Sequence, residues 1–300
     1  MVSRVSDLQT FSVVSANLRR LQSRLQHLND QASSGFRVNR PSDDPAGASA
    51  VVRSYSIVNS LNQDTRAAGF ARGFLGAQDG ILDDASNIIT RGREIAVQQA
   101  NGVISDDERA AAAEEVHSLL EALVALGNSD LGGRCLFSSG EDVVPGEEPF
   151  TDPNDPGFDP ANPYSGSTAP LQVEVGSGQV IRVTTSGDEV LGSSVAALAD
   201  LETRLSAGTD PAGALAALDE AAADISTERA SIGARIERID QRMGQIDQAE
   251  LVTTELINTT RGADVVGIVS NLVELQAQLQ VAAAASQMVI ETNLVNILQV

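Results

Sequence analysis

The stretch VVGIVSNLVELQAQLQVA, residues 265–282, decides the fold, because Val265, Ile268, Leu272, Leu275, Leu279 and Ala282 recur at steps of three and four. That spacing places all six on one narrow stripe of an α-helix, and so narrow an apolar stripe is a seam that another helix covers. The other end of the chain repeats the pattern in VSANLRRLQSRLQHL, residues 14–28, through Val14, Leu18, Leu21, Leu25 and Leu28. Chain ends ordinarily fray, yet Leu294, Val295, Ile297, Leu298 and Val300 keep the C-terminal end apolar. Two terminal seams point to assembly rather than to chemistry.

Working inward, proline placement divides the chain. Seven of the ten prolines fall between Pro145 and Pro170, and none occurs at 46–144 or beyond 212. An internal proline removes a helix hydrogen bond and clashes with the preceding turn, so these proline-free lengths permit long helices. The segment Arg37-Val38-Asn39-Arg40-Pro41-Ser42-Asp43-Asp44-Pro45-Ala46-Gly47 ends the first helix, with Asp43 or Asp44 placed to cap the next. A second helix is predicted through Val51, Val52, Tyr55, Val58 and Leu61 into the low seventies, continuing with glycine interruptions through Phe74, Leu82 and Ile95. A loop is expected near 102, and Ser105-Asp106-Asp107-Glu108 fits a capping box ahead of Val116, Leu119, Leu120 and Leu123.

From Glu141 to Glu189 ten carboxylates accompany one basic residue, Arg182. Thr151 to Pro160 can form neither helix nor central strand. Alternating Leu171, Val173 and Val175, then Gly176-Ser177-Gly178, then Val180 to Thr184 predict a β-hairpin. Asp210-Pro211 starts a further helix, in which Ile232, Ile236, Ile239, Met243 and Ile246 form another seam that resets near Thr259-Thr260-Arg261-Gly262. The predicted class is mainly α, with long antiparallel helical rods or coiled coil formed by the N- and C-terminal halves and a small β-containing insertion. Three domains are expected: 1–45 plus 260–300 as a terminal coiled coil, 46–140 plus 191–259 as a helical rod, and 141–190 as the insertion.

Composition bounds the function. The formal charge is −21, and all twenty basic residues are arginine. So acidic a chain repels nucleic acid and anionic membranes, so neither is expected as a partner. No apolar run is expected to reach the roughly 20 residues of a membrane span, and the N-terminus lacks the regions of a cleavable signal peptide. The lone Cys135 excludes an internal disulfide and is read as a small buried hydrophobe. His27 and His117 lie beside seam residues and are expected on helix surfaces. Asp152 to Gly157 has Asp, Asn and Gly as in a calcium loop, but Pro156 and Pro163 stand where ligands belong, so a stiff solvated loop is expected. No nucleophile, base and metal set recurs, and Asp43 and Asp44 read as capping rather than catalytic carboxylates, so neither enzyme activity nor a cofactor is expected.

Three segments together carry a family resemblance. Ala32-Ser33-Ser34-Gly35-Phe36-Arg37 through Gly47, Arg93-Glu94-Ile95-Ala96-Val97-Gln98-Gln99-Ala100-Asn101-Gly102, and Asn293-Leu294-Val295-Asn296-Ile297-Leu298 resemble, in order, elements of the bacterial flagellins and their hook-filament junction relatives. Gly133-Arg134-Cys135-Leu136-Phe137-Ser138-Ser139-Gly140, Pro163-Tyr164-Ser165-Gly166 and Gly187 to Gly192 resemble the junction branch, with Cys135 departing at an aromatic position; a short flagellin forming the filament itself is the alternative.

The resemblance implies an extracellular flagellar subunit that self-associates in a ring or tube beside a hook-associated protein and flagellin. It further implies export by the flagellar type III system and a chaperone on the C-terminal region. Leu18, Leu21, Leu25, Leu28, Ile268, Leu272, Leu275, Leu279, Leu294 and Leu298 would form the assembly interface, and Arg37, Asn39, Asp43 and Asp44 the joint between inner and outer helices.

Overall fold

The computed structural model describes residues 2–100, 105–138, 147–176 and 178–298, with side chains described at residue 9 and from 12 to 288 within those ranges. Among the described residues six α-helices carry the chain: α1 Val2–Ser34, α2 Pro45–Ala100, α3 Asp106–Gly127, α4 Ser193–Ala207, α5 Leu215–Arg261 and α6 Val265–Leu298. Two small antiparallel pairs complete it. β1 Asp130–Leu131 pairs with β2 Arg134–Cys135 around a Gly132-Gly133 turn, and β3 Gln172–Glu174 pairs with β4 Val180–Arg182. The mainly α class with a small β part is the observed one.

The helix now called α2 is longer than its glycines suggested. It runs unbroken for 56 residues through Gly69, Gly73, Gly76 and Gly80. Glycine weakens a helix interior by only about 1 kcal/mol, whereas the buried stripe of Ala71, Phe74, Leu75, Leu82, Ile89 and Ala96 is covered along its length. Ser105 caps α3 by the expected reciprocal box: its hydroxyl accepts from Glu108 N, and the Glu108 carboxylate accepts from Ser105 N at 3.0 Å. Asp210 caps a 3-10 turn, Pro211–Ala214, that leads into α5. The β1–β2 hairpin has no counterpart among the sequence expectations, because two-residue strands leave no periodicity to read.

The chain divides into two compact units, Met1–Ser60 with Ala249–Val300, and Leu61–Gln248. In the second unit one aliphatic core gathers α2, α3, α4 and α5 with the β segments; Phe74, Leu82, Leu120, Leu191, Leu198 and Leu218 are fully buried in it. Cys135 is buried there as well. Arginines tie α5 to α2 around that core: Arg229 reaches Asp79 at 3.0 Å and Asp83 at 2.6 Å, and Arg72 reaches Asp240 at 3.1 Å. The proline-rich segment forms turns, as expected, with backbone N–H groups of Asn154, Gly157 and Ala161 donating to the carboxylates of Asp152, Asp155 and Asp159 two residues earlier.

Two expectations are corrected. The stretch Val265–Met288 of α6 is long and apolar enough, by length and composition, to cross a membrane, with a mean hydropathy of 1.2 over its best window. Alanine and valine between the seam leucines raise the average, and Glu274 is the single charged residue among them. His117 is not an ordinary surface histidine: it is half-buried between α3 and α4, and both ring nitrogens are engaged. Asn101, Gly102, Ser139, Gly140 and Ser177 lie outside the described residues, and with them the loop near 102, the end of the Gly133 to Gly140 motif and the hairpin tip.

Candidate functional site

In the first unit α1 packs against α6. Leu18, Leu21, Leu25 and Leu28 are half-buried, as are Leu272 and Leu279, while Ile268 and Leu275 are buried, Leu275 to 3% exposure. Val265, first of the C-terminal seam, remains exposed beside Asp264 at the start of α6. The side chains of Leu294 and Leu298 lie outside the described residues. That pairing leaves other apolar residues of α6 exposed: Val266 is 82% exposed, Val273 63% and Val281 70%. Among the described residues Val266, Val269, Val273, Ala277, Val281 and Ala284 repeat the three-four step on a second, exposed stripe.

The break between α1 and α2 is built from Arg37, Asn39, Asp43 and Asp44, which the structure brings together. Gly35 ends α1 with φ of +70°, a left-handed conformation that a Cβ disfavours, and its N–H donates to the Gln31 carbonyl at 3.0 Å. Asp43 closes the loop by accepting from Asn39 N at 3.1 Å and Arg40 N at 2.8 Å. Asp44 caps α2: its Oδ1 accepts from Gly47 N at 2.9 Å, ahead of Pro45 in the first turn. These contacts set the electrostatics. Backbone donation from Arg40, with Asn39 and the nearby His27, holds the Asp43 carboxyl below its ordinary range against the opposing pull of burial. Donation from Gly47 and then from the Arg37 guanidinium does the same for Asp44.

The break does not stand alone. Arg37 N donates to the Arg261 carbonyl at 2.7 Å and Ala263 N to the Gly35 carbonyl at 3.1 Å, which joins the α1–α2 loop to the α5–α6 loop as a two-strand bridge at Phe36 and Gly262. The Arg261 guanidinium lies 3.9 Å from the centre of the Phe36 ring, a cation–π contact. A Cβ at Gly262 would stand 2.5 Å from the Asn258 carbonyl, so only glycine fits. The two helix starts are built alike. Asp264-Val265-Val266-Gly267 repeats Asp44-Pro45-Ala46-Gly47: Asp264 Oδ1 accepts from Gly267 N at 3.1 Å, and a Cβ on either glycine would press on its capping carboxylate.

Sequence reasoning missed four participants here: Gln31, whose amide donates to the Arg37 carbonyl at 2.8 Å, Phe36, Arg261 and Asp264. The reset at Thr259 to Gly262 marked a break, and the shared Asp-x-x-Gly spacing was the signal that it mirrors the first one. Among the described residues no group of three or more His, Cys, Asp or Glu side chains is placed to hold a metal ion.

Paired terminal helices, a matched pair of capped breaks and a helical unit carrying a small β part resemble the architecture of the flagellin-like proteins. Residues 5–140 match the family model for the bacterial flagellin N-terminal helical region. The Escherichia coli K12 flagellar hook-associated protein 3 is 27% identical over 219 residues, 71% of this chain and 65% of that protein. The 31.3 kDa flagellar filament core protein of Treponema maltophilum is 25% identical over 88% of this chain and 87% of its own length. Among solved structures, flagellar hook-associated protein 3 from Legionella pneumophila superposes with a TM-score of 0.59, at 14% identity, over 70% of this chain and 98% of that one, a likeness of fold.

Proposed function

We propose that this chain is a structural subunit of the bacterial flagellum, the hook-filament junction protein that adapts the hook side to the flagellin filament. The similarity to hook-associated protein 3 across 71% of the chain carries the reading. The architecture supports it: head-to-tail contacts that do not close on themselves generate tubes, and a second exposed apolar stripe on α6 gives one copy a surface for the next.

In this reading the chain is extracellular, and it reaches its place through the flagellar type III system. Residues 1–45 with 260–300 form the inner element, 46–140 with 191–259 the helical rod, and 141–190 the outward insertion. Leu18, Leu21, Leu25, Leu28, Ile268, Leu272, Leu275, Leu279, Leu294 and Leu298 carry self-association. Arg37, Asn39, Asp43 and Asp44 hold the joint between inner and outer helices. Neighbours are a hook-associated protein on one side and flagellin on the other, and a cytoplasmic chaperone covers the C-terminal seam before export. The role is mechanical and involves no catalysis, cofactor, nucleic acid or membrane insertion.

A second reading, a short flagellin forming the filament, is favoured by the match to the Treponema filament core protein over nearly the whole of both chains. Deletion of the gene separates the two. Hooks that lack filaments, with flagellin shed into the medium as monomer, are the expected result; normal or shortened filaments would instead assign the chain to the filament.

A further inference from the structure

We propose that His117 is a pH-sensitive clasp that docks the tip of the proline-rich strap, residues 152–162, onto α3 and α4. The base of this strap is fixed by groups that do not titrate. Phe150 N donates to Asn128 Oδ1 at 2.7 Å, Asn128 Nδ2 donates back to the Phe150 carbonyl at 2.9 Å, and Thr151 N donates to the Pro163 carbonyl at 3.0 Å. The tip is held differently. His117 Nδ1 lies 3.0 Å from Glu202 Oε1 on α4, and Nε2 lies 3.3 Å from Asn154 Oδ1 on the strap and 3.7 Å from Glu121 Oε1 one turn along α3.

Donor and acceptor accounting fixes the protonation state. Glu202 can only accept, so Nδ1 must donate; Asn154 Oδ1 can only accept, so Nε2 must donate as well. Flipping the Asn154 amide does not relieve this, because its nitrogen is already donating to Glu121 Oε1 at 2.5 Å and to Asp152 Oδ1 at 3.2 Å, and the flip would set oxygen against both carboxylates. Only the imidazolium donates from both nitrogens, so a neutral ring must turn one contact repulsive.

The charged groups facing the ring are Glu121 on α3, Glu202 on α4 and, through Asn154, Asp152 on the strap; all three favour the cation. Burial pushes the His117 pKa down, but Asn154 and Glu202 outweigh it and the net direction is upward. The sign follows. The clasp is fully closed below the ordinary histidine value of about 6.5 and opens as pH rises through the higher folded-state value. Opening frees Phe158, Pro153 and Pro160 from a groove of about 510 Å³ that they line with His117, Leu120 and Glu202.

The full-length chain provides the test, since it has no tryptophan and only two histidines. Phe158→Trp places a single fluorophore on the strap tip, and His27→Gln leaves one imidazole to follow by NMR between pH 5.5 and 8.5. The expected result is a red shift of the indole emission with the same midpoint as the His117 titration, and emission that no longer depends on pH once His117→Gln is added. Emission independent of pH while His117 titrates, or a pH shift that survives His117→Gln, overturns the clasp. Should the indole prevent docking and emit as exposed at every pH, Asn154→Ala in the His27→Gln chain decides the matter: the His117 midpoint must fall, and an unchanged midpoint overturns the proposal.

Discussion

Arg37 and Asp44 form a 3.0 Å ion pair across the break between α1 and α2, and the same guanidinium nitrogen lies 3.0 Å from the Thr260 carbonyl. One arginine thereby joins the end of α1, the start of α2 and the end of α5.

The two partners are unequal. Arg37 is about half exposed, and exposed ion pairs contribute little, whereas Asp44 also satisfies the first free N–H groups of a 56-residue helix. Asp44→Ala is therefore expected to lower the thermal midpoint more than Arg37→Ala at pH 7, with Asp44→Asn between them; equal melting of Asp44→Ala and the parent chain would contradict the capping role. The pH dependence has a defined sign. The folded-state values of Asp43 and Asp44 are lowered, so their stabilisation is fully present above the ordinary carboxylate value of about 4 and is lost as pH falls through the lower folded values. Melting curves between pH 7 and 2 should show the Asp43→Asn and Asp44→Asn chains losing less midpoint on acidification than the parent.

Helical glycines give a second test, of space. A Cβ at Gly73 or Gly80 would meet nothing within 4 Å, so Gly73→Ala and Gly80→Ala should each stabilise the monomer by about 0.5–1 kcal/mol through the lost freedom of the unfolded chain. A Cβ at Gly92 would stand 2.6 Å from Leu198 Cδ2, and overpacking of that kind costs about 1–3 kcal/mol. Urea unfolding of the three variants should show two gains and one loss.

Burial and charge can be weighed in the same unit. Leu198 is fully buried, and Leu198→Ala should cost about 2–5 kcal/mol. Arg229 makes two short ion pairs, yet it and both its partners are a third or more exposed, so Arg229→Ala should cost no more than about 1 kcal/mol, and less in high salt. A salt-insensitive loss at Arg229 as large as that at Leu198 would mean that the arginines, not the aliphatic core, hold α5 to α2.

Much of this was legible because helices advertise themselves. The three-four steps at Leu18 to Leu28 and Ile268 to Leu279 named the packed stripes, and the Ser105 box and Asp210-Pro211 named helix starts from local chemistry alone. What stayed hidden depends on residues distant in sequence. Arg261 over Phe36 joins positions 225 residues apart, as the sequence numbering gives. Glu202 and Asn154 reach His117 from segments that no periodicity relates to α3. The glycines of α2 read as interruptions because propensity is a local quantity, while the core that overrides it is assembled from three other helices.

The same logic gives α6 its sharpest test. Leu275 is 3% exposed on the helix that packs against α1, and Val273, two residues away on the other stripe, is 63% exposed. A carboxylate at the buried position must stay unpaired among apolar groups, so Leu275→Asp should break the α1 pairing in the free subunit as well as assembly, while secretion of the chain continues. A carboxylate at the exposed position stays in water in the free subunit, so Val273→Asp should leave helicity and melting unchanged. It should nevertheless abolish assembly, because a neighbouring copy would have to bury that charge. Normal filaments on cells carrying Leu275→Asp would remove the seam from the assembly interface. Normal filaments with Val273→Asp would leave the seam in place and show that the second stripe faces no neighbour.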